Sequence, residues 1–97
     1  MRKAILMVDR CQPGLPVNVL AAFADAVYNL GPKIACDKAH STPARKLAAH
    51  DFTAACHALR LYNKASVAGV MVVLPGLDTR RAREEARCLT PDDTEVA

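Results

Sequence analysis

Apolar positions along this chain follow two rhythms. Two short stretches are apolar at every position, Ala4-Ile5-Leu6-Met7-Val8 and Val70-Met71-Val72-Val73-Leu74. Each leads into a Pro-Gly-Leu turn, at 13–15 after Asp9-Arg10-Cys11-Gln12 and at 75–77 directly. Runs of that length bounded by turn residues predict strands buried on both faces, here Lys3 to Val8 and Val67 to Leu74. Elsewhere the spacing is helical. Leu20, Phe23, Ala24, Val27 and Leu30 form one stripe of a helix from Pro16 to Leu30, stopped by Gly31-Pro32. Ala48, Phe52, Ala55, Leu59 and Tyr62 continue the pattern to Asn63, after a Ser41 or Thr42 cap and Pro43. Asp51 and Thr53 are cap-type residues inside that second pattern, so it reads either as one helix or as two broken at His50-Asp51. Lys33 to Cys36 reads as a further short strand. A last helix, Arg80 to about Cys88, is capped by Asp78 or Thr79 and has Ala82, Ala86 and Leu89 as its apolar edge.

Together these elements predict an α/β fold. It is a small single-domain layered structure over residues 1–90, with two central apolar strands and three or four helices. If a right-handed crossover joins the strands, they lie adjacent and parallel, with both exit loops on a common rim where ligands bind. Residues 91–97, beginning at Pro91, carry Asp92, Asp93 and Glu95 and read as an acidic disordered tail.

Composition modifies this picture in three ways. The chain is 52% hydrophobic but only 4% aromatic with no Trp, so its core is thin and a homodimer is expected to bury what one copy leaves wet. Five apolar residues after Arg2-Lys3 are too few for a signal-peptide core, and no stretch approaches a membrane span, so a cytoplasmic location without membrane contact is expected. On that reading Cys11, Cys36, Cys56 and Cys88 are reduced thiols. Finally, the formal charge of +3 is concentrated in the middle third. A segment like that can meet phosphate, although its charge density is below a typical nucleic-acid footprint.

Candidate chemistry centres on the predicted rim. Asp9, Arg10, Gln12 and Asn18 from the first loop, and Asp78 and Arg81 from the second, are the expected contacts to a small-molecule or nucleic-acid-derived ligand. Cys11, beside an arginine and near a helix start, is the one candidate nucleophile. No Gly-rich phosphate loop follows either strand, so no nucleotide cofactor is expected. Cys36, His40, His50, Cys56 and His57 are metal-capable, yet no Cys-x2-Cys spacing is present and no metal site is expected. If the chain breaks at His50-Asp51, Ala44 to Tyr62 has helix–turn–helix length, and Arg45, Lys46, His57, Arg60 and Lys64 become candidate nucleic-acid contacts.

Two resemblances follow from these residues. Ile5 to Asp9 with Pro13 to Val19, and Val67 to Val70 with the charged helix after it, resemble the opening and closing units of uncharacterised bacterial relatives of type II peptidyl-tRNA hydrolases. That resemblance implies a small mixed sheet with helices on both faces and, if there is catalysis, a hydrolase. Leu15, Pro16 and Val17 stand where the true hydrolases carry a Lys and a nearby His, so no catalytic residue is carried over and a non-enzymatic ligand-binding domain is the leading expectation. Ala44, Leu47, the stretch to Tyr62 and Val72-Val73-Leu74-Pro75 resemble plasmid helix–turn–helix repressors of the TrfB type, which implies the alternative of a dimeric DNA-binding regulator.

Overall fold

The computed structural model describes residues 2–90, and it is built of helices. The expected acidic tail at 91–97 lies outside the described residues. In chain order the elements are α1 Arg2–Cys11, α2 Val17–Leu30, α3 Lys33–Cys36, α4 Thr42–Ala48, α5 Phe52–Ala58, a 3-10 turn Leu59–Tyr62, β1 Lys64–Val67, β2 Val70–Val73 and α6 Pro75–Leu89.

The first apolar run is therefore a helix and not a strand. Its length fits either state, and the residues decide it: Arg, Lys, Ala, Leu and Met all favour helix, against only two β-branched members, Ile5 and Val8. The chain buries Ala4 and Val8, four residues apart, with Cys11 and Gln12 continuing the same face. The second run does form a strand, but only as half of a two-stranded antiparallel hairpin. Lys64 pairs with Val73 and Val67 with Val70, while Ala68 (φ 52°) and Gly69 (φ 83°) make the tight turn. Val70, Met71 and Val73 are 60%, 62% and 52% exposed, so this strand lies at the surface rather than at the centre of a layer. Lys33 to Cys36 is likewise one turn of helix, burying Ile34 and Ala35. An α/β fold with two central strands is thus overturned, and the two Pro-Gly-Leu turns do different work. One ends α1, and the other opens α6 with Pro75 in its first turn.

The centre of the molecule is α2. It buries Val19, Ala22, Phe23, Ala24, Ala26 and Val27, almost its whole circumference, as a bundle's central helix must. Gly31, at φ 92°, ends it, and Gly31 N donates to Val27 O. α1 and α6 pack on either side of α2, and α3 closes against its end. Ser41 and Asp51 accept from Ala44 N and Ala54 N and so cap α4 and α5, which makes the stretch after Ser41 two helices with His50 (φ 59°) at the break.

The four cysteines, expected as thiols, form two disulfides. Cys11–Cys36 ties the end of α1 to α3, and Cys56–Cys88 ties α5 to the last turn of α6.

Candidate functional site

Where α2 stops, the chain turns sharply and leaves an open cleft of about 290 Å³. It is lined by Leu30, Lys33, Ile34, Asp37, His40, Ser41 and Tyr62. Asp37 holds one rim: its Oδ1 accepts from Ala39 N (3.1 Å) and His40 N (3.2 Å), and its Oδ2 lies 3.2 Å from His40 Nδ1. Desolvation pushes the Asp37 carboxyl upward, but the hydrogen bonds and charge of His40 outweigh it and hold the group below the usual carboxylate range. Ser41 is fully engaged. Its hydroxyl donates to Ile34 O (2.7 Å), accepts from Ala44 N (3.3 Å) and meets the Tyr62 hydroxyl at 3.4 Å. The cleft thus offers an apolar and aromatic wall beside fixed polar groups, an arrangement suited to holding a ligand.

A second polar cluster staples α5 and the 3-10 turn to α6. Arg60 reaches Asp78 Oδ1 (3.0 Å) and Glu85 Oε1 (3.3 Å), His57 Nδ1 lies 2.8 Å from Glu85 Oε2, and Asn63 donates to Asp78 Oδ1 (3.0 Å). The Asn63 and Arg60 hydrogen bonds hold Asp78 below the usual range, and Asp78, with Glu85, raises Arg60. Arg45 is turned onto the carbonyls of Lys38 and Ala39 and the Thr42 hydroxyl. Of the residues expected to read DNA, His57, Arg60 and Arg45 are therefore engaged by the chain's own acceptors, while Lys46 and Lys64 are exposed.

The third cluster is interior. Arg81 is 0% exposed and Glu84 3%, with Arg81 Nη2 donating to Glu84 Oε2 (3.1 Å) and Nε lying 2.7 Å from Oε1. Asp25, on α2, adjoins them and faces Arg80 at 3.8 Å. Burial, then the hydrogen bond to Asp25, push the Glu84 carboxyl up to about 8, against the opposing charge of Arg81. Above them, between α1 and α6, runs a recess of about 490 Å³ floored by Ala21 and Ala22 and walled by Ile5, Arg83 and Arg87.

The rim residues expected from the sequence do not gather round one pocket. Asp9 and Arg10 are exposed on α1, while Gln12 is buried and donates to Ala35 O and Ala44 O, both at 3.1 Å. Asn18 donates to Cys88 O (2.6 Å), Asp78 faces Arg60, and Arg81 is in the core. Cys11 is in a disulfide and carries no thiol. Sequence reasoning missed both Glu84 and the cleft at Tyr62. A signal for Glu84 existed: Arg81, Glu84 and Cys88 share one helical face, and the cysteine marks that face as the buried one.

Comparison with known proteins settles the lineage. The phage lysozyme family matches residues 2–84. A SAR-endolysin of Pseudomonas phage phiKMV is 34% identical over 86 residues, covering 89% of this chain and 51% of that protein. Among solved structures, an endolysin from Escherichia coli O157:H7 phage FAHEc1 superposes with a TM-score of 0.77 at 25% identity, covering 91% of this chain and 54% of that one. The chain spans about half the length of these relatives. These findings overturn the resemblances to peptidyl-tRNA hydrolase relatives and to TrfB-type repressors, and with them the peptidyl-tRNA-hydrolase-like and DNA-regulator readings. The first had rested on short apolar runs and turn residues and the second on the helical stretch from Ala44 to Tyr62 with Val72 to Pro75, features that a mostly helical lobe with one hairpin supplies equally well. The chain belongs to the phage lysozyme family.

Proposed function

We propose that this chain is a helical lobe of a lysozyme-type endolysin, and that the cleft lined by Leu30, Lys33, Asp37, His40 and Tyr62 holds the saccharide chain of the bacterial cell wall. Family membership carries the substrate class, and the cleft carries the location. A sugar ring presents an apolar face and a fringe of hydroxyls. Tyr62 and Leu30 supply a surface for the first, and Lys33, Asp37 and His40 supply partners for the second.

The lobe's part is to bind and position. Lysozyme-type hydrolysis uses two carboxyl groups about 5–9.5 Å apart on either side of the scissile bond, one of them protonated. Glu84 has the raised affinity for a proton, but it is 3% exposed and its oxygens are turned onto Arg81. Asp37 and Asp78 are held ionised by His40 and by Asn63 with Arg60. Asp25 and Glu84 both line the recess over α2, yet the Glu84 carboxyl is buried against Arg81 and is not presented to a ligand. The two disulfides favour work in an oxidising compartment, where such bonds persist.

Retention of the purified chain on insoluble peptidoglycan, measured beside a turbidity-clearing assay, tests this reading. The chain is expected to stay on the wall without clearing it. Clearing at lysozyme-like rates, or no retention, would overturn the proposal.

A further inference from the structure

Most polar groups of the saccharide cleft are committed to one another. Asp37 Oδ1 accepts from Ala39 N and His40 N, and Oδ2 meets His40 Nδ1 at 3.2 Å. The Ser41 hydroxyl is taken up by Ile34 O, Ala44 N and the Tyr62 hydroxyl. A carboxylate only accepts, so His40 Nδ1 is the donor to Asp37, and a neutral ring then keeps Nε2 as an acceptor. The remaining capacity of Asp37 and His40 is thus for hydroxyl or amide donors.

Lys33 is the exception. Gly31 and Pro32 end α2 and open α3 at this residue, on the cleft's rim, while burial of Ile34 and Ala35 and the Cys11–Cys36 disulfide hold the turn in place. Asp37 lies four positions on, the spacing at which a lysine and an acid can pair across a helical turn, and it lines the same cleft. Yet Asp37 is turned onto His40, and among the described residues Lys33 has no ion pair. Its ammonium carries three donors, no acceptor and a full charge. A hydroxyl can be satisfied at Asp37 or His40; a carboxylate finds its best partner in the cation. We propose that the cleft takes an acidic saccharide in preference to a neutral one, Lys33 Nζ pairing with a carboxylate borne by the aminosugar chain. This rests on the saccharide reading of the cleft and narrows its substrate class. In wall glycan the carboxylate has two sources: the lactyl group of the sugar where no peptide is attached, and the peptide where one is.

Calorimetric titration of the purified chain tests this with three soluble ligands. They are neutral chitohexaose, wall glycan strands with their peptides attached, and the same strands after an amidase has removed the peptides and freed the lactyl carboxylates. At least one acidic ligand is expected to bind about fivefold tighter than chitohexaose, as one half-exposed ion pair provides, and less so as salt rises. A lead of the intact strands assigns the carboxylate to the peptide, and a lead of the stripped strands assigns it to the lactyl group. Lys33→Gln should bring the acidic ligand down to the level of chitohexaose, with chitohexaose binding unchanged, and Lys33→Arg should keep most of the advantage. Lys46→Gln removes the same charge from an exposed position outside the cleft and should keep all of it. A wild type that binds neutral and acidic ligands alike would overturn the inference and leave the saccharide reading standing. So would an advantage that survives Lys33→Gln, or one that falls equally in Lys46→Gln. Binding of none of the three ligands would overturn both.

Discussion

Two hollows of this molecule invite opposite conclusions. The recess over α2 is the larger, at about 490 Å³ against about 290 Å³, and it holds Glu84, the most strongly shifted acid among the described residues. Size and a displaced pKa are the usual marks of an active site. Yet its shifted acid, Glu84, is turned inward onto Arg81, which is fully buried, and Asp25 faces Arg80 at 3.8 Å. The smaller cleft has modest chemistry, but its polar groups face outward and its tyrosine is held in place through Ser41. What matters is whether a shifted group can reach a ligand. Residues of the recess should accordingly govern stability, and residues of the cleft should govern wall binding.

The sharpest way to break that division is Arg81→Met. Removing one partner of a buried pair leaves the other uncompensated, so at pH 9, where Glu84 is ionised, the variant should lose about 3–5 kcal/mol in denaturant unfolding. The double variant Arg81→Met with Glu84→Leu should recover most of the loss. A single variant of wild-type stability would mean the trio is not a structural unit.

pH gives the next largest effect. Glu84 binds its proton more tightly in the fold than in the unfolded chain, so stability is greatest below pH 4.5 as far as this group is concerned and falls as pH rises toward about 8. A shift of that size corresponds to a loss of about 5 kcal/mol across the window. Asp37 and Asp78, with lowered values, act in the opposite sense below about pH 4, so the net optimum lies in mildly acid solution. Glu84→Gln should flatten the decline between pH 5 and 8 in thermal melts. A wild-type profile in that variant would assign the decline elsewhere.

The Cys11–Cys36 disulfide adjoins the cleft through α3, whereas neither Cys56 nor Cys88 lines either hollow. The two disulfides close loops of 25 and 32 residues, and each should contribute about 2–4 kcal/mol. Cys56→Ala with Cys88→Ala should lower the unfolding midpoint while leaving wall retention intact. Cys11→Ala with Cys36→Ala should lower both, because α3 forms part of the cleft wall. The smallest effect is expected of Tyr62→Ala, about a tenfold loss of wall retention with little change in melting. Its failure to weaken retention would move the saccharide to another surface.

Much of the helical framework was legible in the sequence. The stop at Gly31-Pro32 marks the end of α2, and the Asp51 cap marks the break between α4 and α5, because these signals are local: a fixed φ, a missing donor, a side chain near its own backbone. The state of Ala4 to Val8 was not legible, since an apolar run of five says only that it is buried or bound. The hairpin was half visible in Val70 to Val73, but the alternation of Lys64 to Val67 spans only four residues with two small members, Ala65 and Ser66, too short a signal to announce its partner. Glu84 was hidden by a rule that is usually sound. Charged residues were assigned to the solvent face of α6, and Ala82, Ala86 and Leu89 to the inner one, whereas Arg81, Glu84 and Cys88 point inward. The cleft was out of reach for a different reason: Leu30, Asp37 and Tyr62 meet only through tertiary packing.

Amide chemical shifts recorded while soluble peptidoglycan fragments are titrated into the chain test the central claim most directly. Perturbations are expected to cluster at Leu30, Lys33, Asp37, His40 and Tyr62, with the α1 and α6 resonances unmoved. Perturbations centred on Asp25, Arg83 and Glu84, with a silent cleft, would contradict it.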